Sequence, residues 1–171
     1  MKIYDCFSYW DEDLLLDLRL SILNDYVDYF VIVEGNKTWQ NNPKKLQFDI
    51  EKFKNFKDKI IYIPVNDMPG GKNPWSRENF QRNCIERGLL NAKQEDWIII
   101  SDLDEIPNLE ILHHFKKEMR YAVFHQNQYY YKFNLQAEKN PYWYGSRICV
   151  KKYLKSPQWL RNLKFKKRAF W

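Results

Sequence analysis

The sequence is poor in glycine, cysteine and histidine, and it has no long apolar run. Its five glycines, Gly35, Gly70, Gly71, Gly88 and Gly145, form neither Gly-x-Gly-x-x-Gly nor Gly-Lys-Ser/Thr. A nucleotide bound here therefore lacks the backbone cradle of a Rossmann turn or P-loop, and its phosphates would need side chains or a metal. Cys6, Cys84 and Cys149 are odd in number and far apart, which encodes neither a disulfide framework nor a zinc knuckle. No Gly-x-Ser-x-Gly elbow is present. His113 and His114 are adjacent on a helical segment, about 100° apart, a poor geometry for one shared ion. Apolar stretches reach only four to six residues, too short for a bilayer. No signal-peptide h-region separates Met1 from Asp11-Glu12-Asp13, so a reducing, cytoplasmic setting is expected.

What the sequence does hold is positive charge and aromatic rings. Across 171 residues, 28 Lys/Arg face 22 Asp/Glu for a net +6, beside 11 Phe, 12 Tyr and 7 Trp. That pairing first suggests a nucleic-acid-binding domain. The distribution argues otherwise: residues 139–171 carry ten Lys/Arg and no acid, for +10. Residues 1–138 carry eighteen Lys/Arg and twenty-two acids, for −4. The basic character belongs to a C-terminal segment, and the body is mildly acidic.

Short β-rich runs alternate with helix-period segments, the pattern of an α/β layer fold. Strands are expected over Ile3–Tyr9, Tyr29–Val33, Lys59–Val65 and Asp96–Ser101. A helix capped by Asp11 should present Leu14, Leu18 and Ile22, with the leucines beside them, to the core. Asn73-Pro74 reads as the cap and first turn of a helix running to about Leu90. Pro107 opens another, with Leu109, Leu112, Phe115 and Met119 on one side. Tyr121–Leu135 reads as strand. Successive β–helix–β units imply parallel strands, whose ligands sit beyond the carboxyl ends.

Those ends carry Tyr9, Glu34, and the cluster Asp102-Leu103-Asp104-Glu105. Strand residues two apart share a face, so Asp102 and Asp104 point one way while Leu103 points to the core. Two carboxylates with open positions left over suit Mg²⁺ or Mn²⁺ holding a diphosphate. The bland alternative is that both aspartates end a strand and cap the helix at Pro107. Arg82 has a bland reading too, since Glu78 and Glu86 stand four residues to either side.

At this point the residues resemble a known family. Gln81-Arg82-Asn83, Arg87-Gly88-Leu89 and the run from Asp96 to Pro107, with Ser101-Asp102-Leu103-Asp104-Glu105-Ile106-Pro107 at its end, are similar to glycosyltransferase family 17. So are Tyr4-Asp5-Cys6-Phe7, Leu18-Arg19-Leu20, Phe30–Glu34 and Trp143-Tyr144-Gly145-Ser146-Arg147, to about Pro157. The resemblance implies a single GT-A domain over residues 1–171, a three-layer sandwich around a mostly parallel sheet. It implies a Mn²⁺- or Mg²⁺-dependent, inverting transfer from a UDP-sugar, UDP-N-acetylglucosamine foremost, to a glycan acceptor. Carried onto this sequence, Asp102 would meet the donor ribose or metal and Asp104 would bind Mn²⁺. Arg82 would face the donor and Glu34 would lie near the nucleoside, with Tyr9, Trp143 and Arg147 as further substrate contacts. Family members continue into a Gly-Gly-Trp-His-Phe-Ser-like segment absent here, which implies a truncated chain or a minimal variant.

Inverting transfer needs a group to take the acceptor's proton, and Glu105 and Glu138 are the candidates. Tyr129, Tyr131, Tyr142 and Trp143 offer faces to an acceptor sugar, or else simply pack the sheet. Two rivals remain open. One is a metal-dependent phosphoesterase or nucleotidyltransferase using the same aspartates. The other is a non-catalytic module that uses residues 139–171 for peripheral contact with a nucleic acid or anionic surface. Given the acidic body, no nucleic-acid partner is expected.

Overall fold

The computed structural model describes residues 1–116, 118–132 and 134–164. In chain order its strands are β1 (Ile3–Ser8), β2 (Tyr29–Gly35), β3 (Ile60–Val65), β4 (Trp97–Ile100), β5 (Tyr121–Val123), β6 (Gln126–Asn127), β7 (Tyr142–Trp143) and β8 (Arg147–Val150). The α-helices are α1 (Asp13–Leu23), α2 (Pro74–Asn83) and α3 (Pro157–Arg161). Six strands form one sheet in the order β3-β2-β1-β4-β8-β5, and β6 pairs with β7 apart from it. The first four run parallel, while β8 lies antiparallel to both β4 and β5. The fold is thus mixed α/β around a mostly parallel sheet.

Parallel strands covered on both faces need apolar residues at every position. Phe30–Val33 and Trp97–Ile100 meet that need and are buried throughout. Alternation sorts them into two cores: Phe7, Phe30, Ile32 and Ile99 pack with Leu16, Leu20 and Leu23 of α1. Cys6, Val31, Val33, Ile98 and Ile100 pack with Ile85, Leu89 and Leu160 on the opposite face. Gly88 permits that second packing, because an added Cβ would lie 2.4 Å from a Val31 methyl.

The chain steps outward from β1 through β2 to β3, then returns to place β4 on the other side of β1. That reversal opens a crevice at the carboxyl ends of β1 and β4.

Several elements differ from expectation. Helix α1 begins at Asp13, and its buried face is Leu16, Arg19, Leu20 and Leu23, while Leu14 is 87% exposed. Arg19 takes an inward position because Asp5 and the chain after β4 accept its donors. Asn73 caps α2 as expected, but the α-helix ends at Asn83 and a 3₁₀ segment, Cys84–Leu89, completes the run. After Pro107 only a 3₁₀ turn forms, Leu109–His114, capped by Asn108 rather than by either aspartate. Phe115 then becomes extended and packs edge-on against Trp97. The expected strand Tyr121–Leu135 breaks after Val123. Strand β8 and helix α3 lie within the basic C-terminal segment, where the sequence reading placed no element. Among the described residues, no helix is long and apolar enough to cross a membrane.

Candidate functional site

Ser101 to Glu105 leave the end of β4 in a turn closed by the Glu105 N–H donating to the Asp102 carbonyl at 3.1 Å. Leu103 is buried and Asp104 exposed, and the two aspartates line the same two clefts. The shared face expected from strand alternation is therefore present, produced by a turn.

Asp102 is gripped by cations. Arg82 donates to one carboxylate oxygen at 2.9 Å and Arg161 to the other at 2.6 Å. Burial would raise this carboxyl, but the Arg161 and Arg82 guanidiniums hold it below the usual carboxylate range. No hydrogen bond or ion pair among the described residues engages the Asp104 carboxylate. Glu105 is buried and accepts from Arg161 at 2.7 Å, from the Asp102 N–H at 2.9 Å and from the Trp143 indole. Gly145 makes this junction sterically feasible: a Cβ there would fall 2.0 Å from Glu105 Oε1 and 2.3 Å from Trp143 Nε1.

Three clefts meet at Asp102. The largest, about 760 Å³, is lined by Arg82, Arg147, Arg161, Gln158, Trp39 and Trp143 among others. The second, about 620 Å³, runs from Asp102 and Asp104 past Tyr9, Trp10, Trp39 and Gln81. The third, about 370 Å³, joins both aspartates and Glu105 to Gln126, Asn127, Gln128, Tyr129, Tyr130 and Trp143. The first carries three guanidiniums and the indoles of Trp39, Trp75 and Trp143, the second the indoles of Trp10 and Trp39 without Arg147 or Arg161, and the third is amide-rich.

Arg147 is the least compensated cation of the first cleft. Its Nη1 donates to the Gly145 carbonyl at 2.6 Å, while its buried Nε has no partner among the described residues. Burial first, and the neighbouring Arg161 second, push it down to about 10. Such a group gains from a nearby anion.

Of the residues singled out from sequence, Asp102, Asp104, Glu105, Arg82, Arg147, Trp143 and Tyr9 come together around this junction. Arg82 does reach Glu78, at 2.9 Å, but its other acidic partner is Asp102 rather than Glu86. Tyr9 turns its hydroxyl inward, donating to Asp13 at 2.6 Å. Glu34 is fully buried and faces none of the three clefts. It accepts from Lys44, from the Gln47 and Phe48 N–H groups and from the Tyr62 hydroxyl, and so ties residues 44–48 to β2. Glu138 is exposed in a separate depression with Leu135, Gln136 and Lys139. Tyr131 and Tyr142 line none of the three clefts. Of the ten cations in 139–171, Arg147 and Arg161 face the first cleft; those at 166–168 lie outside the described residues.

Arg161, Gln158 and Trp39 were missed. Ser156-Pro157, a cap followed by a first-turn proline, signals helix α3 and could have drawn attention to Gln158 and Arg161. Trp39 has no local signal. It lines two clefts because the buried Arg77 holds its carbonyl, donating at 2.6 Å, while also donating to Gly71.

The cysteines are free and buried, and burial pushes the Cys149 thiol up to about 12, which disfavours a nucleophilic role. Among the described residues no group of three or more His, Cys, Asp and Glu side chains is arranged to hold a metal. Among the described residues, Asp102 and Asp104 are the two carboxylates that line both the second and the third cleft.

The family model for glycosyltransferase family 17 matches residues 1–165. The β-1,4-mannosyl-glycoprotein 4-β-N-acetylglucosaminyltransferases of Homo sapiens and Rattus norvegicus are each 32% identical over 103 residues, 54% of this chain and 19% of the relative. The Mus musculus protein of the same name is 31% identical over the same span. The match thus spans about a fifth of the length of these relatives. With the family model covering nearly the whole sequence, this chain belongs to glycosyltransferase family 17.

Proposed function

We propose that this chain is the donor-binding domain of an inverting glycosyltransferase of GT-A type, taking a UDP-sugar, UDP-N-acetylglucosamine foremost, and passing the sugar to a glycan hydroxyl. The observation that carries the reading is the junction itself. Asp104, whose carboxylate has no partner among the described residues, stands beside the arginine-paired Asp102 at the β1/β4 crevice, flanked by a cleft of three guanidiniums and a cleft lined by Trp10 and Trp39.

The donor's parts divide among the clefts by chemistry. The diphosphate suits the cleft of Arg82, Arg147 and Arg161, whose guanidiniums neutralise phosphate oxygens with directed donors. The nucleoside suits the second cleft, where Trp39 and Trp10 offer ring faces and Gln81 an amide. The acceptor sugar suits the third, where amides and phenol rings match hydroxyls and a pyranose face.

The donor set fits a divalent cation that arrives with the nucleotide. Asp104 is unengaged among the described residues and Asp102 is 41% exposed at its side chain, but two carboxylates alone leave most positions to phosphate oxygens and water. Mg²⁺ or Mn²⁺ held by Asp104 and Asp102 would stabilise charge developing on the leaving diphosphate. Arg161, Arg82 and Arg147 add fixed positive charge on the same side. Glu105 is committed to three donors, so we assign it to holding Arg161 and Trp143 in place. The acidic partners of Arg161 and Arg82 keep both guanidiniums oriented until the diphosphate competes for them.

The test is release of UDP from a panel of nucleotide sugars with Mn²⁺ and a mixture of oligosaccharide acceptors. UDP-N-acetylglucosamine should be consumed fastest. Preference for a different nucleotide, or phosphate release from simple phosphoesters, would instead favour the phosphoesterase or nucleotidyltransferase reading.

A further inference from the structure

Arg19 is wholly buried on α1 and lines none of the three clefts, yet it donates to Ser101, Asp102, Leu103 and Glu105 of the aspartate turn. Its Nε and Nη2 donate to the two oxygens of Asp5 on β1, at 2.8 and 2.7 Å, and Nη2 also donates to the Ser101 hydroxyl. Its Nη1 faces three carbonyls at once: Asp102 at 3.0 Å, Leu103 at 3.0 Å and Glu105 at 3.1 Å. The ring of Phe7 closes the remaining side, 4.5 Å from the guanidinium carbon.

Three carbonyl oxygens converging on one buried point repel one another, and a cation there offsets that repulsion. The Asp102 carbonyl also accepts from the Glu105 N–H and the Glu105 carbonyl from the Ser146 hydroxyl at 2.9 Å, but Arg19 Nη1 is the one donor that ties both to the Leu103 carbonyl among the described residues. With its carbonyls turned inward onto Nη1, the chain leaves the Asp102 and Asp104 side chains on the cleft side. A lysine could fill the carbonyl focus or reach Asp5, but its single ammonium lacks the planar fork that does both.

We infer that Arg19 is a positioning residue for the proposed donor site, setting the aspartate turn from behind through its carbonyls. This rests on the donor reading only for its binding consequence; the mechanical claim stands on the geometry alone. Arg19 also packs the core, so a test must separate positioning from plain stability.

The experiment compares wild type, Arg19→Lys and Ile32→Val, a core change that leaves the turn untouched. Amide hydrogen exchange is followed over residues 101–106 and over β2, and UDP binding is measured with Mn²⁺ by calorimetry. Arg19→Lys should speed exchange in 101–106 well beyond any change in β2, and should weaken UDP about tenfold or more, the scale for lost outer support of a metal ligand. Ile32→Val should speed exchange in β2 at least as much as in 101–106 and leave UDP affinity within about twofold. Uniform exchange changes in Arg19→Lys, or unchanged UDP affinity in a wild type that binds, would overturn the inference. Should wild type bind no UDP, the donor reading fails and the exchange pattern alone decides the role of Arg19. Should Arg19→Lys not fold, nitrogen NMR of the wild-type arginine side chains decides: Arg19 Nη1 protons should be resolved and protected, and averaging with solvent like an exposed arginine would contradict it.

Discussion

The guanidinium of Arg161 lies 2.6 Å from the carboxylate of Asp102, so a helix 59 residues further along the chain reaches back to the turn after β4. Arg161 also holds Glu105 at 2.7 Å, and both members of that second pair are largely buried. The two ends of the functional region are therefore one electrostatic unit. A double-mutant cycle of Arg161→Gln and Asp102→Asn, followed by thermal denaturation, should give a coupling of about 1–3 kcal/mol. Additivity within about 0.3 kcal/mol would contradict a shared unit.

Gly145 should tolerate no side chain. The Cβ of Gly145→Ala would overlap Glu105 and Trp143, so those groups must move and Arg161 loses its partner geometry. A loss of about 1–3 kcal/mol is expected in denaturant unfolding. Gly70→Ala, where a Cβ meets nothing within 4 Å, should be near neutral in the same assay.

Trp39 should read the nucleoside and not the phosphates. Trp39→Ala should weaken UDP by about tenfold, the scale of one lost base–ring stack. Inorganic diphosphate, which has no base, should bind this variant and wild type alike. Equal losses for both ligands would show that Trp39 only supports the loop that Arg77 anchors.

Acid should expose the Asp102 pairs. Because Arg161 and Arg82 overcome burial and lower its proton affinity in the folded chain, these pairs contribute fully above the ordinary carboxylate pKa. The contribution is lost as pH falls through the lowered value. Wild type should therefore exceed Asp102→Asn in thermal stability at neutral pH, and the gap should close below about pH 4. A gap that persists unchanged into acid would rule the ion pairs out as its cause.

Much of this arrangement was legible in the sequence, for physical reasons. Continuous apolar runs such as Phe30–Val33 mark strands buried on both faces, and parallel order then puts the site beyond Ile100. Asp102 and Asp104 stood out because that location is general for such sheets, and both line clefts there. The α1 face was misjudged because counting leucines assigns no value to a buried Arg19 that meets Asp5 across fourteen residues. Glu34 looked like a ligand by its place at a strand end, but Lys44, Tyr62 and two backbone amides draw it inward. Arg161 was hidden inside a charge total, since a sum over residues 139–171 cannot separate a cation facing a cleft from one facing water. Long-range hydrogen bonds of this kind have no local pattern to read.

The central claim is that Asp104 joins the donor diphosphate to a divalent cation beside the arginine-lined cleft. Calorimetric titration of UDP into wild type and Asp104→Asn, each with and without Mn²⁺, tests it most directly. The account predicts that Mn²⁺ tightens UDP binding to wild type by about tenfold or more and has little effect on Asp104→Asn, whose metal-free affinity stays near that of wild type. Equal enhancement by Mn²⁺ in both proteins, or no UDP binding to wild type under either condition, would contradict it.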